Sequence, residues 1–309
     1  MTESINELRC CQTVWGGFIP TKFSVCSSDV TDLVPPDPIY ILSSRMSYLP
    51  VVAVDAINTF RTSALDFNNM NSDVWFEYGE CPLKSNLPIG VLFDMVYKGS
   101  VSDFPWHIII HYSSFPRDQI IRCGSKDLAY RHYAHSMKQA LYLLTGSTRV
   151  FNEMTGAKQD QLWESLCSGN RGQFEAVARH LRPSPDSARL LPIRLISANS
   201  HRTIQKNIPV YMPTSSPPVL TTLQYVLDLC GDELRARDAM LSSQSQEGVK
   251  KEVKELSHDI TDTAEQSAEN RSKLSEYLIN GIQVPSETPL YPLWSLLAHA
   301  DLFMYIVLK

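Results

Sequence analysis

The chain has 309 residues, 43% of them hydrophobic, and a formal net charge of -5. A chain of this length buries about three quarters of the surface its unfolded form exposes, so it needs no covalent staples and should form two or three compact units. The negative balance offers no general basic field to nucleic acid or to an anionic lipid surface, which leaves protein partners as the default.

Between Phe23 and Tyr112 the hydrophobic period changes several times. Two β-rich stretches, Phe23 to Val30 and Ile39 to Ser43, flank a turn at Pro35, Pro36 and Pro38. Val51, Val54, Ala56, Ile57, Phe60, Ala64 and Leu65 then recur at helical spacing and predict one amphipathic helix. Val74 to Tyr78 reads as a short aromatic strand, Gly79-Glu80 as a turn, and Cys81 to Lys84 as a second extended piece. Pro88 opens a short apolar helix from Ile89 to Val96, because proline suits a first helical turn. Trp106 to Tyr112 closes the unit as a strand rich in β-branched residues. Strand, strand, helix, strand, short strand, short helix, strand is the order of a β-grasp.

The middle of the chain loses the strand pattern. Ser125 can cap a helix in which Tyr133, Met137, Ala140, Leu141 and Leu144 form one buried stripe, with Arg131, His135, Lys138 and Tyr142 roughly opposite. A second helical stretch runs from Gln159 past Trp163, Leu166, Phe174, Val177 and Leu181, broken near Gly169 and Gly172 and ended by Pro183 and Pro185.

The last third repeats the β-grasp order in different letters. Leu190 to Ser197 and Ile204 to Met212 are strand candidates, and Thr221 or Thr222 can cap a helix carrying Leu223, Val226, Leu227 and Cys230. Tyr277 to Ile282 makes a strand and turn, Thr288-Pro289-Leu290 an extended piece, and Pro292 opens a helix from Leu293 to Ala298. Leu302 to Leu308 is the closing strand. The reading is an architectural duplication with boundaries at 1–116, 117–187 and 188–309. Residues 232–276, charged and nearly free of aromatics, read as a disordered insertion in the second unit that the fold can spare. An apolar spacing at Val249, Val253, Leu256 and Ile260 allows at most one marginal helix within it.

Function is bounded partly by what is missing. The seven cysteines, Cys10, Cys11, Cys26, Cys81, Cys123, Cys167 and Cys230, fit neither a disulfide framework nor a C-x-x-C zinc pattern and read as reduced cytosolic thiols. The N-terminus is acidic where a signal peptide would be basic, and no segment approaches the roughly 20 apolar residues of a membrane span. His107 with His111, and His132 with His135, have conceivable ligand spacing, but no cysteine or carboxylate clusters with either pair in sequence, so they read as ordinary histidines and no metal is expected. A thiol nucleophile assembled from Cys81 or Cys123 with a distant histidine has no local signature. No glycine-rich phosphate loop follows a strand, so no cofactor is expected. A ubiquitin-like donor would need a flexible tail ending in glycine, whereas Met304 to Lys309 is the closing strand, which predicts a target or adaptor rather than a modifier.

The letters carry a further resemblance. Trp75-Phe76-Glu77-Tyr78, Pro82-Leu83-Lys84 and Pro88-Ile89-Gly90-Val91-Leu92-Phe93-Asp94 resemble the most recognisable stretch of the autophagy protein 5 family. Similar segments follow in the family's order: Val14-Trp15-Gly16-Gly17-Phe18-Ile19-Pro20, Ser44-Arg45-Met46-Ser47-Tyr48-Leu49, His135-Ser136-Met137-Lys138-Gln139-Ala140, Pro192-Ile193-Arg194, Asn280-Gly281-Ile282 and Glu287-Thr288-Pro289-Leu290.

The resemblance implies an α+β fold of two ubiquitin-like β-grasp domains flanking a helix-rich domain, and a scaffold rather than an enzyme. It implies a lysine, at the position of Lys138, joined by an isopeptide bond to the C-terminal glycine of autophagy protein 12. It also implies a helix of autophagy protein 16 bound non-covalently across both β-grasp units, with Arg45 as a candidate contact. The assembled complex would promote lipidation of a second ubiquitin-like modifier at the preautophagosomal membrane, where the chain would be peripheral. An aqueous lysine side chain is neutral in only roughly one molecule in a thousand at pH 7, so such an acceptor relies on the conjugating enzyme to desolvate and orient it. The alternative is a tandem β-grasp adaptor that binds its partners without conjugation.

Overall fold

The computed structural model describes residues 13–30, 34–64, 73–213, 215–231, 233–234 and 276–309. The first unit is a five-stranded sheet in the order β2-β1-β5-β3-β4, built from β1 (Phe18–Val25), β2 (Ile39–Ser44), β3 (Trp75–Tyr78), β4 (Cys81–Pro82) and β5 (Trp106–His111). Strand β1 runs antiparallel to β2 and parallel to β5, which defines a β-grasp. It begins at Phe18, five residues before the sequence-based expectation, because Ile19, Thr21, Phe23 and Val25 alternate inward along its whole length. Pro20 is tolerated because pairing with β5 starts only at Thr21.

The single helix expected after β2 is two, α1 (Leu49–Val52) and α2 (Val54–Arg61), with Ala53 between them at φ -90°, ψ 8°. Ala53, Ala56 and Phe60 are fully buried, and Leu65, expected in the same stripe, lies outside the described residues. The short apolar helix α3 (Ile89–Val96) has the expected bounds, entered from Pro88.

Helix α4 (Lys126–Thr145) dominates the middle of the chain. Ser125 caps it, its hydroxyl accepting the Leu128 N–H at 3.3 Å, a contact typically worth about 1 kcal/mol. Its other end stops at Gly146, at φ 77°, where any Cβ would meet the Arg189 guanidinium at 2.1 Å. Ala129, Tyr133, Met137, Ala140, Leu141 and Leu144 form its buried stripe. Burial of each large side chain in that stripe stabilises the bundle by about 1.5–3 kcal/mol. Helices α5 (Arg149–Asn152), α6 (Gly156–Cys167) and α7 (Arg171–Ala178) complete the bundle. The one-turn α5 is too short to leave a periodicity in the sequence.

The second unit is a sheet in the order β10-β11-β7-β8, with β7 (Ile193–Ser197) parallel to β11 (Met304–Leu308), β8 (Thr203–Gln205) beside β7 and β10 (Tyr277–Leu278) beside β11. The expected strand over 190–197 is divided at Pro192, which has no N–H to donate. Its first part, β6 (Leu190–Leu191), pairs separately with β9 (Ile208–Pro209). Helix α8 covers residues 223–231, and α9 (Leu290–Leu297) matches α3 of the first unit. The residue equivalent to Pro88 is therefore Pro289, not Pro292: both cap prolines are extended, at φ -58° and -60°, whereas Pro292 lies inside the first turn of α9, where its missing N–H goes unused.

The boundary of the expected insertion also shifts. Leu234 is 1% exposed in the core, Glu233 pairs with Lys206, and the Glu276 carbonyl accepts the Lys309 N–H at 2.7 Å. Residues 235–275, with the Val249 to Ile260 spacing, lie outside the described residues. Replacing 235–275 by a short Gly/Ser linker is expected to preserve cooperative urea unfolding, whereas a linker that also removes Leu234 should cost about 2–5 kcal/mol. Equal midpoints for the two variants would contradict this placement.

Candidate functional site

Lys138 sits on α4, half-buried, one residue after Met137 of the buried stripe. Its Nζ lies 5.6 Å from the centroid of the Phe151 ring, a cation–π contact that holds the stem against α5. Among the described residues no carboxylate pairs with it, whereas Lys126 on the same helix is bound to Glu164 at 3.2 Å. Arg131, His135 and Tyr142 on the same helix are exposed.

The second β-grasp unit holds helix α4. Arg194 on β7 donates to Gln139 Oε1 at 2.7 Å, to Ser136 Oγ at 3.4 Å and to the Tyr305 hydroxyl at 3.1 Å, and its guanidinium stacks 3.6 Å over Phe303. Two of these partners flank Lys138 within two positions in the chain. The first unit grips the same helix through aromatic rings: Tyr48 faces Tyr133 at 6.5 Å and Trp163 at 6.0 Å between centroids, and Tyr133 faces Trp163 at 5.3 Å.

Arg45 is not a free surface side chain. It is 15% exposed, its Nη2 donates to Asp94 at 2.5 Å and to the Gly90 carbonyl at 3.3 Å, and Gly90 N–H returns a bond to the Arg45 carbonyl at 2.8 Å. Gly281 of the second unit comes so close that a Cβ there would meet Arg45 at 2.9 Å. Burial pushes the Asp94 carboxyl up, while Arg45, Lys309 and the Gly281 N–H pull it back. Arg45 therefore stands at the junction of the two β-grasp units, in contact with both.

Beside this junction lies a cleft of about 70 Å³ that all three parts of the chain line: Trp15 and Met46 from the first unit, Arg171 and Arg182 from the bundle region, Leu296 and His299 from the second unit. Arg182 makes a bidentate pair with Glu175 on its wall, at 2.7 and 3.1 Å. Trp15 closes one side, its indole N–H donating to the Gly169 carbonyl at 3.0 Å and its ring meeting Phe174 at 4.8 Å.

Burial holds Cys123, Cys167 and Cys230 away from the thiolate form, pushing the Cys123 thiol up to about 12 and those of Cys167 and Cys230 to about 11. Cys81 does meet a histidine, with Sγ 3.4 Å from His201 Nδ1, a pairing invisible in sequence because it spans both units. Burial raises the Cys81 thiol and lowers the His201 imidazole, so both are driven toward neutral forms, the reverse of a thiolate–imidazolium pair. Lys84 donates to the His201 carbonyl at 2.6 Å, so the contact serves as a tie between domains. His132 and His135 do not converge on shared ligands; they bond to the Arg122 carbonyl and to Gln139 respectively. No helix among the described residues is long and apolar enough to cross a membrane.

Two β-grasp units joined through a helical bundle define a protein of ubiquitin-like fold. The family models described as Autophagy protein ATG5 match the chain in three consecutive parts: the UblA domain at residues 14–112, the alpha-helical bundle region at 126–184 and the UblB domain at 190–308. Autophagy protein 5 of Drosophila melanogaster is 32% identical over 63% of this chain and 72% of its own length. The chain belongs to the autophagy protein 5 family. Autophagy protein 5 of Oryza sativa subsp. indica is 33% identical over 56% of this chain, a match that covers 44% of the rice protein. The crystal structure of Kluyveromyces marxianus Atg5 has the same fold, with a TM-score of 0.72 at 21% identity, covering 98% of this chain and all of that one.

His299, on the cleft wall, has a measurable consequence. It is 1% exposed, neither ring nitrogen finds a hydrogen-bond partner among the described residues, and burial with the nearby Arg45 charge lowers its pKa to about 3. An unfolded histidine takes a proton near pH 6.5, so the unfolded chain binds more protons than the folded one between about pH 6.5 and pH 3, and stability falls as pH falls through that window. In His299→Leu, the loss of unfolding free energy between pH 7.5 and 5 should be about 2 kcal/mol smaller than in the wild type. Urea titrations at the two pH values check this; equal losses would contradict it.

Proposed function

We propose that this chain is an autophagy scaffold whose Lys138 amine forms an isopeptide bond with the C-terminal glycine of a ubiquitin-like modifier of the autophagy protein 12 class. The observation that carries the reading is the presentation of Lys138: an amine on a long capped helix, with no carboxylate partner among the described residues, its stem set by Phe151 and its helix clamped from both β-grasp units. A conjugating enzyme must desolvate and orient a lysine before the amine can attack a thioester, and a rigid helix spares it the entropic cost of ordering the acceptor. The raised thiols and the neutral Cys81–His201 pair fit a protein that receives a group rather than one that transfers it.

In the same reading, a partner helix of the autophagy protein 16 class lies across both units and seats an anchor side chain in the cleft walled by Trp15, Leu296 and His299. Arg45 contributes from beneath, because its pair with Asp94 is the surface on which Gly281 of the second unit packs. Arg45→Asp would place a second carboxylate beside Asp94 and weaken partner capture by opening the junction. The assembled complex, peripheral on the preautophagosomal membrane, would promote lipidation of a second ubiquitin-like modifier without a catalytic group of this chain.

Lys138→Arg tests the acceptor directly. Arginine keeps the charge, the helix propensity and the contact with Phe151, so stability should change by less than about 0.5 kcal/mol, yet its guanidinium is a poor nucleophile. In a reconstitution with activating enzyme, conjugating enzyme and modifier, the variant should form no covalent conjugate while still capturing the partner helix. Normal conjugate yield, mapped to Lys126, Lys158 or another lysine, would overturn the assignment.

A further inference from the structure

Strand β1 hands the chain to the end of β5. Val25 lies opposite Ile110 in the parallel register, and the next residue, Cys26, continues that register by donating its N–H to the Ile110 carbonyl at 2.9 Å. A single 3₁₀ turn, Ser27–Asp29, then brings Asp29 back toward His111, the last residue of β5. One ligand atom from each of Cys26, Asp29 and His111 lies within 4.8 Å of the others, and His111 Nδ1 is 3.9 Å from Asp29 Oδ2.

We propose that Cys26, Asp29 and His111 form a binding site for a divalent cation of the zinc class, with solvent as the fourth ligand and Glu77 as the outer partner of the histidine. The ligand set is one sulfur, one oxygen and one nitrogen, which suits a borderline-soft, tetrahedral ion and not the all-oxygen preference of calcium or magnesium. Ligand atoms around tetrahedral zinc stand roughly 3.5 Å apart, given bonds of about 2.0–2.3 Å. The triad therefore closes on an ion by a shift of about an ångström, available to the half-buried Cys26 side chain at the mouth of the turn.

The supporting shell is already built, and it separates this cluster from a chance encounter. Asp29 is 3% exposed and held by three donors: Tyr112 N–H at 2.7 Å, Ser113 N–H at 3.3 Å and the Ser113 hydroxyl at 2.6 Å. His111 stacks on Trp75 at 3.8 Å with the rings 10° from parallel, and Trp75 is itself fixed by its N–H donating to the Ser113 carbonyl at 2.7 Å. The other ring nitrogen, His111 Nε2, lies 3.1 Å from Glu77 Oε2 but outside hydrogen-bonding geometry, so a small rotation of the ring or carboxylate would make Glu77 the partner that orients a metal-bound imidazole. Cys26 Sγ has the Ser28 hydroxyl at 3.1 Å. Each ligand thus has its own positioning contact, while the thiol side stays open to solvent. A bound ion would clip the end of β1 to β5 in the first β-grasp unit.

Cobalt serves as the spectroscopic probe, because a cysteine ligand gives a thiolate-to-cobalt charge-transfer band. On the full chain carrying Cys10→Ser and Cys11→Ser, one equivalent of cobalt should produce that band, one equivalent of zinc should abolish it, and zinc should raise the melting temperature. Cys26→Ser, a conservative change at a half-buried position, should remove the band and the thermal shift. Glu77→Gln should keep the band and weaken affinity by about 10–100-fold. The absence of a band in the parent chain, or its persistence in Cys26→Ser, would overturn the site. Unchanged affinity in Glu77→Gln would overturn the role given to Glu77.

Discussion

Arg45 and Asp94, both of the first β-grasp unit, meet 2.5 Å apart where Gly281 of the second unit packs against them, and the junction of the two units is built around that contact. Asp94 is 4% exposed and Arg45 15%, so the pair is largely withdrawn from water and its desolvation must be offset by well-placed partners. Those partners come from both units: the Gly90 carbonyl from the first, and the Gly281 N–H and Lys309 from the second. Gly90 and Gly281 are glycines for a steric reason, since a Cβ at either would strike Arg45 at 3.0 or 2.9 Å. Removing Arg45 would leave Asp94 buried without its counter-charge, a loss of about 3–5 kcal/mol, and displacing the second unit would strip the pair of the Gly281 N–H and of Lys309.

The helical bundle is held between the two units as a consequence. Tyr48 reaches it from one side, and Arg194 from the other. The helix that carries Lys138 is thereby presented as a fixed ridge rather than a mobile loop, and the cleft lined by Trp15, Leu296 and His299 keeps its shape. In the proposed function, a modifier attached at Lys138 and a partner helix in the cleft would be held in one relation to each other by this body.

Much of this architecture was legible in the chain. The change of hydrophobic period from two to 3.6 and back marked both β-grasp units, and Ser125 with the Tyr133 to Leu144 stripe located the long helix because cap and periodicity agree there. The misplacements have local causes. Pro192 divides a strand whose side chains alternate without interruption, Ala53 divides a helix whose apolar spacing continues across it, and Pro289 takes the capping role that sequence alone assigned to Pro292. Leu234 was hidden because the polar composition around it outweighs one buried leucine. The tertiary pairings left no sequence signal: Arg45 with Asp94, Cys81 with His201, and Cys26 and Asp29 with His111 join residues 49, 120 and more than 80 positions apart. Lys138 was singled out by family resemblance, since a lysine on an exposed helical face has no mark of its own.

The covalent attachment of a modifier at Lys138 remains the core of the proposed function. It is tested most directly by recovering the native chain under denaturing, reducing conditions and mapping its peptides by mass spectrometry. The account predicts one branched peptide in which Lys138 bears a C-terminal glycine remnant, in a population heavier than the free chain by one small protein. A chain that is recovered only at its unmodified mass, from cells in which the modifier and its enzymes are active, would contradict it.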